Sequence, residues 1–150
     1  MAKFRFRLST LLRLRESVRD DCRQQLIAAQ RAEDIIAARI GALDEELATL
    51  RLHALVSSRP GPVNVDRLMD AGRYEMMLKA ERHAADEQRQ AVRGEIERRR
   101  QALVEADREV KSLEKLRDQQ LLRHRQDEAR REMKQMDEAA LLTVRGWERE

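Results

Sequence analysis

Both prolines of this 150-residue chain, Pro60 and Pro62, stand on either side of Gly61. Proline lacks a backbone N–H and its ring clashes with the preceding helical turn, so this triplet ends any helix that reaches it. Ser57, Ser58, Arg59, Val63 and Asn64 extend the break, and Asp66 is the candidate N-cap of the next helix. Elsewhere no proline occurs and glycine only at positions 41, 72, 94 and 146. A chain with one such break folds as two helices, and a short connection makes them antiparallel neighbours.

The flanks carry the matching pattern. Before the break, Leu26, Ala29, Ile36, Ile40, Leu43, Leu47, Leu50 and Ala54 recur in steps of three and four, interrupted by Glu33. Upstream, Leu8, Leu11, Leu12, Val18 and Cys22 follow a shifted register, which alters the supercoil without ending the helix. After the break, Leu68, Ala71, Leu78, Ala85, Val92, Ile96, Leu103, Ala106, Val110 and Leu113 form a second seam. Glu75, Arg82, Arg89 and Arg99 take intervening seam positions, where a long side chain covers the seam with its methylenes and keeps its charge in water. The expected fold is all-α, an antiparallel coiled-coil hairpin forming a single unit over 1–150: a first helix over about 9–57, a turn over about 58–65, a second helix over about 66–142 and a flexible tail over 143–150.

Composition agrees with a narrow seam in place of a layered core, because 39% of residues are charged and only 3% aromatic. The formal charge of +3 comes from signs that alternate along the chain, the pattern of solvated coiled-coil faces and not of a nucleic-acid patch. With few aromatic residues there is no stacking platform for single strands, so no nucleic-acid partner is expected. Cys22 is the only cysteine, so no intrachain disulfide can form, and a cytosolic setting is expected. No apolar run is long enough to span a bilayer, and no direct membrane insertion is expected. The Arg-rich start can alternatively be read as an organellar transit peptide.

If the turn centres near Gly61, facing residues have numbers adding to about 123, which sets Ile40 near His83, Leu26 near Glu97 and Leu12 near Lys111. The first helix is then exhausted. The second continues from Leu116 to about Leu142 and must project past the N-terminus as an overhang, sparse in apolar residues and suited to a partner outside the chain. Tyr74, Met76, Met77 and Leu78 form a dense apolar patch just after the turn, either seam packing against Leu43, Leu47 and Leu50 or a docking surface.

Motifs for catalysis are missing: no GxxxxGK[ST] or GxGxxG loop and no nucleophile motif occur, and His53, His83 and His124 are dispersed. Neither enzymatic activity nor a cofactor or metal site is expected from a two-helix interior.

The start Phe4-Arg5-Phe6-Arg7-Leu8, followed by Leu11-Leu12-Arg13-Leu14-Arg15-Glu16, resembles the opening of the FliJ family. Leu113-Glu114-Lys115-Leu116-Arg117-Asp118 and Glu132-Met133-Lys134-Gln135-Met136-Asp137-Glu138 resemble that family's C-terminal helix. The resemblance implies a non-enzymatic stalk of the flagellar export apparatus, cytoplasmic and peripheral to the inner membrane at the basal body. It implies two partners, a hexameric FliI-like export ATPase and a FlhA-like export-gate membrane protein, with an ATPase regulator and substrate chaperones as further ones. Candidate ATPase-binding residues are then Phe4, Arg5, Phe6, Arg7, Leu11, Arg13, Arg15, Lys115, Arg117, Arg123, Arg125, Arg130 and Arg131. Candidates for the gate contact near the turn are Leu43, Leu47, Leu50, Tyr74, Met77 and Leu78. A stalk of a virulence-type secretion ATPase and a self-associating coiled-coil scaffold are the alternatives.

Overall fold

A computed structural model describes the backbone of residues 4–57, 61 and 64–147, and the side chains of 4–56, 61 and 64–141. Two helices account for nearly all of it: α1 over Ser9–Ser57 and α2 over Val65–Trp147. They pack against each other, and no strand occurs among the described residues. The expected turn residues Ser58, Arg59, Pro60, Pro62 and Val63 lie outside the described residues.

The termini of α2 differ from expectation at both ends. Asn64, not Asp66, caps the helix: its side-chain oxygen accepts the backbone N–H of Arg67 at 3.3 Å. That places the cap three residues before the donor it satisfies and leaves Asp66 inside the first turn, where a carboxylate complements the helix dipole. At the other end the helix continues past Leu142 to Trp147, because no residue in that stretch lacks the N–H that propagation needs.

The chain packs as two compact units, Met1–Asp20 with Val104–Glu150, and Asp21–Leu103, where the periodicity suggested one. In the second unit the helices run antiparallel: Arg51 meets Glu75, Asp44 meets Arg82, Glu33 meets Arg89, and Arg99 donates to the Gln25 carbonyl. Arg15 pairs with Glu109 in the first unit. The numbers in these pairs add to between 122 and 126, so the expected register near 123 is the observed one.

Each unit has its own core of single side chains along the helix contact. Ala29, Ile40, Leu43, Leu47, Leu78, Ala85 and Ile96 are buried in the Asp21–Leu103 unit, and Phe6, Leu12, Ala106 and Val110 in the other. Leu68 departs from its expected seam position: it is 60% exposed, and Leu55, which the register sets opposite, is 71% exposed. Apolar pairing has already stopped at Leu50 on α1, so periodicity continues beyond the point where a partner surface exists.

The charged seam positions do more than reach for water. Glu33 accepts hydrogen bonds from both Arg89 (2.7 Å) and Arg93 (3.1 Å), and Arg82 binds Asp44 at 2.6 Å. Each is an inter-helix tie at a level where the apolar seam is interrupted. Such polar layers specify register more than they add net stability.

Gly94 lies inside α2 with nothing within 4 Å of where a Cβ would stand. Alanine there restricts the unfolded chain without a clash. Gly94→Ala should therefore raise stability by about 1 kcal/mol, read as a higher urea midpoint at unchanged m-value.

Candidate docking ends

Two surfaces emerge, one in each unit. In the Met1–Asp20/Val104–Glu150 unit, residues 4–8 precede α1 and are not helical. Phe6 is buried with Leu12 and Val110, and Phe4 and Leu113 pack on that cluster. The Phe4 ring meets His124 edge-on, with centroids 5.6 Å apart and planes at 68°. A helical continuation of α1 would have set Phe4 near position 119. Non-helical chain advances up to about 3.3 Å per residue against 1.5 Å in a helix, so these few residues reach further along α2.

This moves the start of the overhang. Expected from Leu116, it begins after His124, the last residue in ring contact with the N-terminal segment; Arg117, Leu121 and His124 are half-buried, and so is Glu128, which lies 3.5 Å from His124 one turn on. From Arg125 to Trp147 the helix extends about 35 Å at 1.5 Å per residue. Along it, all side chains from Ala129 to Leu141 are exposed.

The candidate ATPase-binding residues divide accordingly. Arg5, Arg7, Leu11, Arg13, Lys115, Arg123, Arg125, Arg130 and Arg131 are exposed. Phe6 is withdrawn into the core, and Phe4 is partly buried on it. Arg15 is half-buried and held by Glu109 at 2.8 Å, while Arg117 binds the neighbouring Asp118 at 3.0 Å. The two phenylalanines therefore fasten the N-terminal segment to α2, and the exposed arginines present charge.

In the Asp21–Leu103 unit, Leu43, Leu47 and Leu78 are buried together with Leu50 packed on them. Packing consumes those four candidates for the gate contact. Tyr74 and Met77 remain at 39% and 49% exposure, and the Tyr74 hydroxyl donates to the Glu46 carboxylate. That hydrogen bond, with burial and the nearby negative charge, raises the phenol above its ordinary value of 10.0. Met76, from the apolar patch noted in the sequence, is 73% exposed, and Leu52, Leu55, Val56, Val65 and Met69, which the spacing did not single out, are exposed alongside. Their signal was legible: close to the helix break, apolar residues fall on more faces of each helix than a single seam can bury.

Charge in this unit gives a pH dependence. Glu33, Glu75 and Glu95 are held below the ordinary 4.5, chiefly by hydrogen bonds from Arg89, Lys79 and Arg99 respectively, with burial opposing in each. A carboxyl with a lowered folded-state pKa contributes stability that is fully present above the unfolded value and lost as pH falls through the folded one. Thermal stability of the full chain should be level from pH 7 to about 5 and decline below about 4.5. A midpoint that keeps rising below pH 4.5 in thermal melts would contradict the pairing.

No group of three or more metal-binding side chains occurs among the described residues, and none of their helices is long and apolar enough to cross a membrane. Residues 4–149 match the family described as Flagellar FliJ protein. The chain belongs to the FliJ family. As a member of this family the chain is a flagellar export-related protein, and the family is one of non-catalytic export stalks and chaperones. Comparison with curated proteins and with solved structures returned no match.

Proposed function

We propose that this FliJ-family chain binds a hexameric FliI-like export ATPase in the manner of a rotary-ATPase central stalk, promotes assembly of its ring and links it to a FlhA-like export gate. The observation that carries this is the stretch of α2 beyond His124, which outlasts its helical partner and exposes Arg125, Arg130 and Arg131. A helix that continues past its helical partner must persist largely on propensity and on neighbouring charge pairs of about 0.2–0.5 kcal/mol each, and a surrounding ring supplies further contacts. The protein would act without chemistry of its own. By binding the assembled ring better than the free subunits it shifts the assembly equilibrium towards the hexamer.

In the Asp21–Leu103 unit, Tyr74, Met76 and Met77 together with the exposed residues 52, 55 and 56 form the surface for the gate protein. The working location is cytoplasmic, at the inner-membrane face of the basal body, with an ATPase regulator and substrate chaperones as further partners.

The test is a chain ending at His124, mixed with the purified ATPase. Hexamer formation in sedimentation and stimulated ATP turnover should both be lost, while circular dichroism still reports a helical protein. Retention of both by the shortened chain would sink the placement of the ATPase contact.

A further inference from the structure

The apolar face of α2 turns when α1 runs out. Ala106, Val110, Leu113, Leu121 and His124 lie within one narrow sector at about 100° per residue, and this sector faces the N-terminal segment and α1. Continued outward, the same sector carries Glu128, Arg131, Gln135 and Glu138, all polar. A second series begins at that point. Leu122, Ala129, Met133, Met136 and Ala140 are spaced by seven, four, three and four residues, centred about 110° round the helix from Val110.

Heptad spacing of this kind keeps side chains on one face over several turns. Leu122, Met133 and Met136 are 57%, 66% and 74% exposed. The stripe continues a shallow groove lined by Lys111, Glu114, Lys115, Asp118, Gln119 and Leu122. Its flanks are polarised: Arg125 on one side and Arg123 and Arg130 on the other border Leu122 and Ala129, while Glu132 and Asp137 border Met133 and Met136.

We infer that this second stripe, and not the continuation of the α1-facing sector, is the face by which the overhang docks. The occupant is an apolar surface of the ATPase ring carrying acidic groups opposite Arg123, Arg125 and Arg130. The inference rests on the function proposed above and specifies which side of the helix meets that partner. Charge complementarity selects an acidic rim, and the unbranched methionines adapt to an irregular apolar surface. Arginines alone would give attraction without register, whereas an apolar stripe at heptad spacing fixes the rotational setting of the helix.

A rotational scan of the full-length chain tests it, reading stimulation of ATP turnover by the purified ATPase. Met133→Asp with Met136→Asp should weaken half-maximal stimulation by about tenfold or more. Gln120→Asp with Lys134→Asp, on the opposite side of the same helix, should stay within about twofold of the unaltered chain. Arg125→Glu with Arg130→Glu should weaken stimulation and flatten its dependence on salt. Circular dichroism of each variant reports whether the helix is intact.

If ending the chain at His124 abolishes stimulation but the methionine variant retains it, the proposed function stands and the stripe assignment falls. If the shortened chain stimulates fully, both fall. Sedimentation of the chain alone gives the remaining outcome: a dimer that dissolves with Met133→Asp and Met136→Asp would assign the stripe to a second copy of this chain and overturn the proposal.

Discussion

Shortening Leu78 to alanine should lower the unfolding free energy by about 2–4 kcal/mol. Leu78 is 3% exposed and packs on Leu43 and Leu47, with Leu50 beside them. In a two-helix seam there is no second layer of side chains, so each buried leucine is a large share of the local core. The adjacent Met77, 49% exposed, provides the internal comparison. Met77→Ala should cost less than about 1 kcal/mol, because most of its side chain stays in water in either state. Urea unfolding followed by circular dichroism reads both. Equal losses for the two would mean that α2 is rotated from the setting described, with Leu78 no more buried than its neighbour.

A charge placed at Val110 should have a different and more local consequence. Val110 is fully buried, enclosed by Phe6 and Leu12 with Phe4 and Leu113 packed around them, and this cluster is what fastens the N-terminal residues. A carboxylate there must either be desolvated or break the cluster, and opening is the cheaper course. Val110→Asp should free residues 4–20 from α2, so that trypsin cuts at Arg13 and Arg15 many times faster, while the Asp21–Leu103 unit keeps its protection. Val104→Asp, at a site 49% exposed, should leave the cleavage rate close to that of the unaltered chain. Uniform loss of protection along the chain on Val110→Asp would show that the two units do not open separately.

These experiments probe different degrees of legibility. The seam around Leu78 could be read from spacing because the helical repeat is a local property of the backbone: residues three and four apart share a face whatever surrounds them. The break at Pro60 to Pro62 and the register near 123 result from the same local rules with chain connectivity added. The resemblance in the terminal motifs pointed to the family that the match over residues 4–149 shows.

What each seam position does was less accessible. Glu33 interrupts the apolar series, yet nothing in its spacing says that it will be gripped by two arginines from α2. Leu68 fits its series and is exposed, whereas Phe6 looked available for a partner and is buried. Nor did the C-terminal motif reveal that its two methionines fall on a second face, since that depends on where the first face loses its cover.

The sequence by itself thus determined two antiparallel helices, their single break, their register and the excess length of the second. Only the tertiary structure decided where cover ends: at Leu50 towards the turn, and at His124 towards the open end, five positions beyond the one a helical count assigns to Phe4. The physical reason is that periodicity states which side chains share a face, while burial requires another surface opposite. At the open end that surface is carried out along α2 by a short non-helical segment, whose reach per residue no helical repeat encodes.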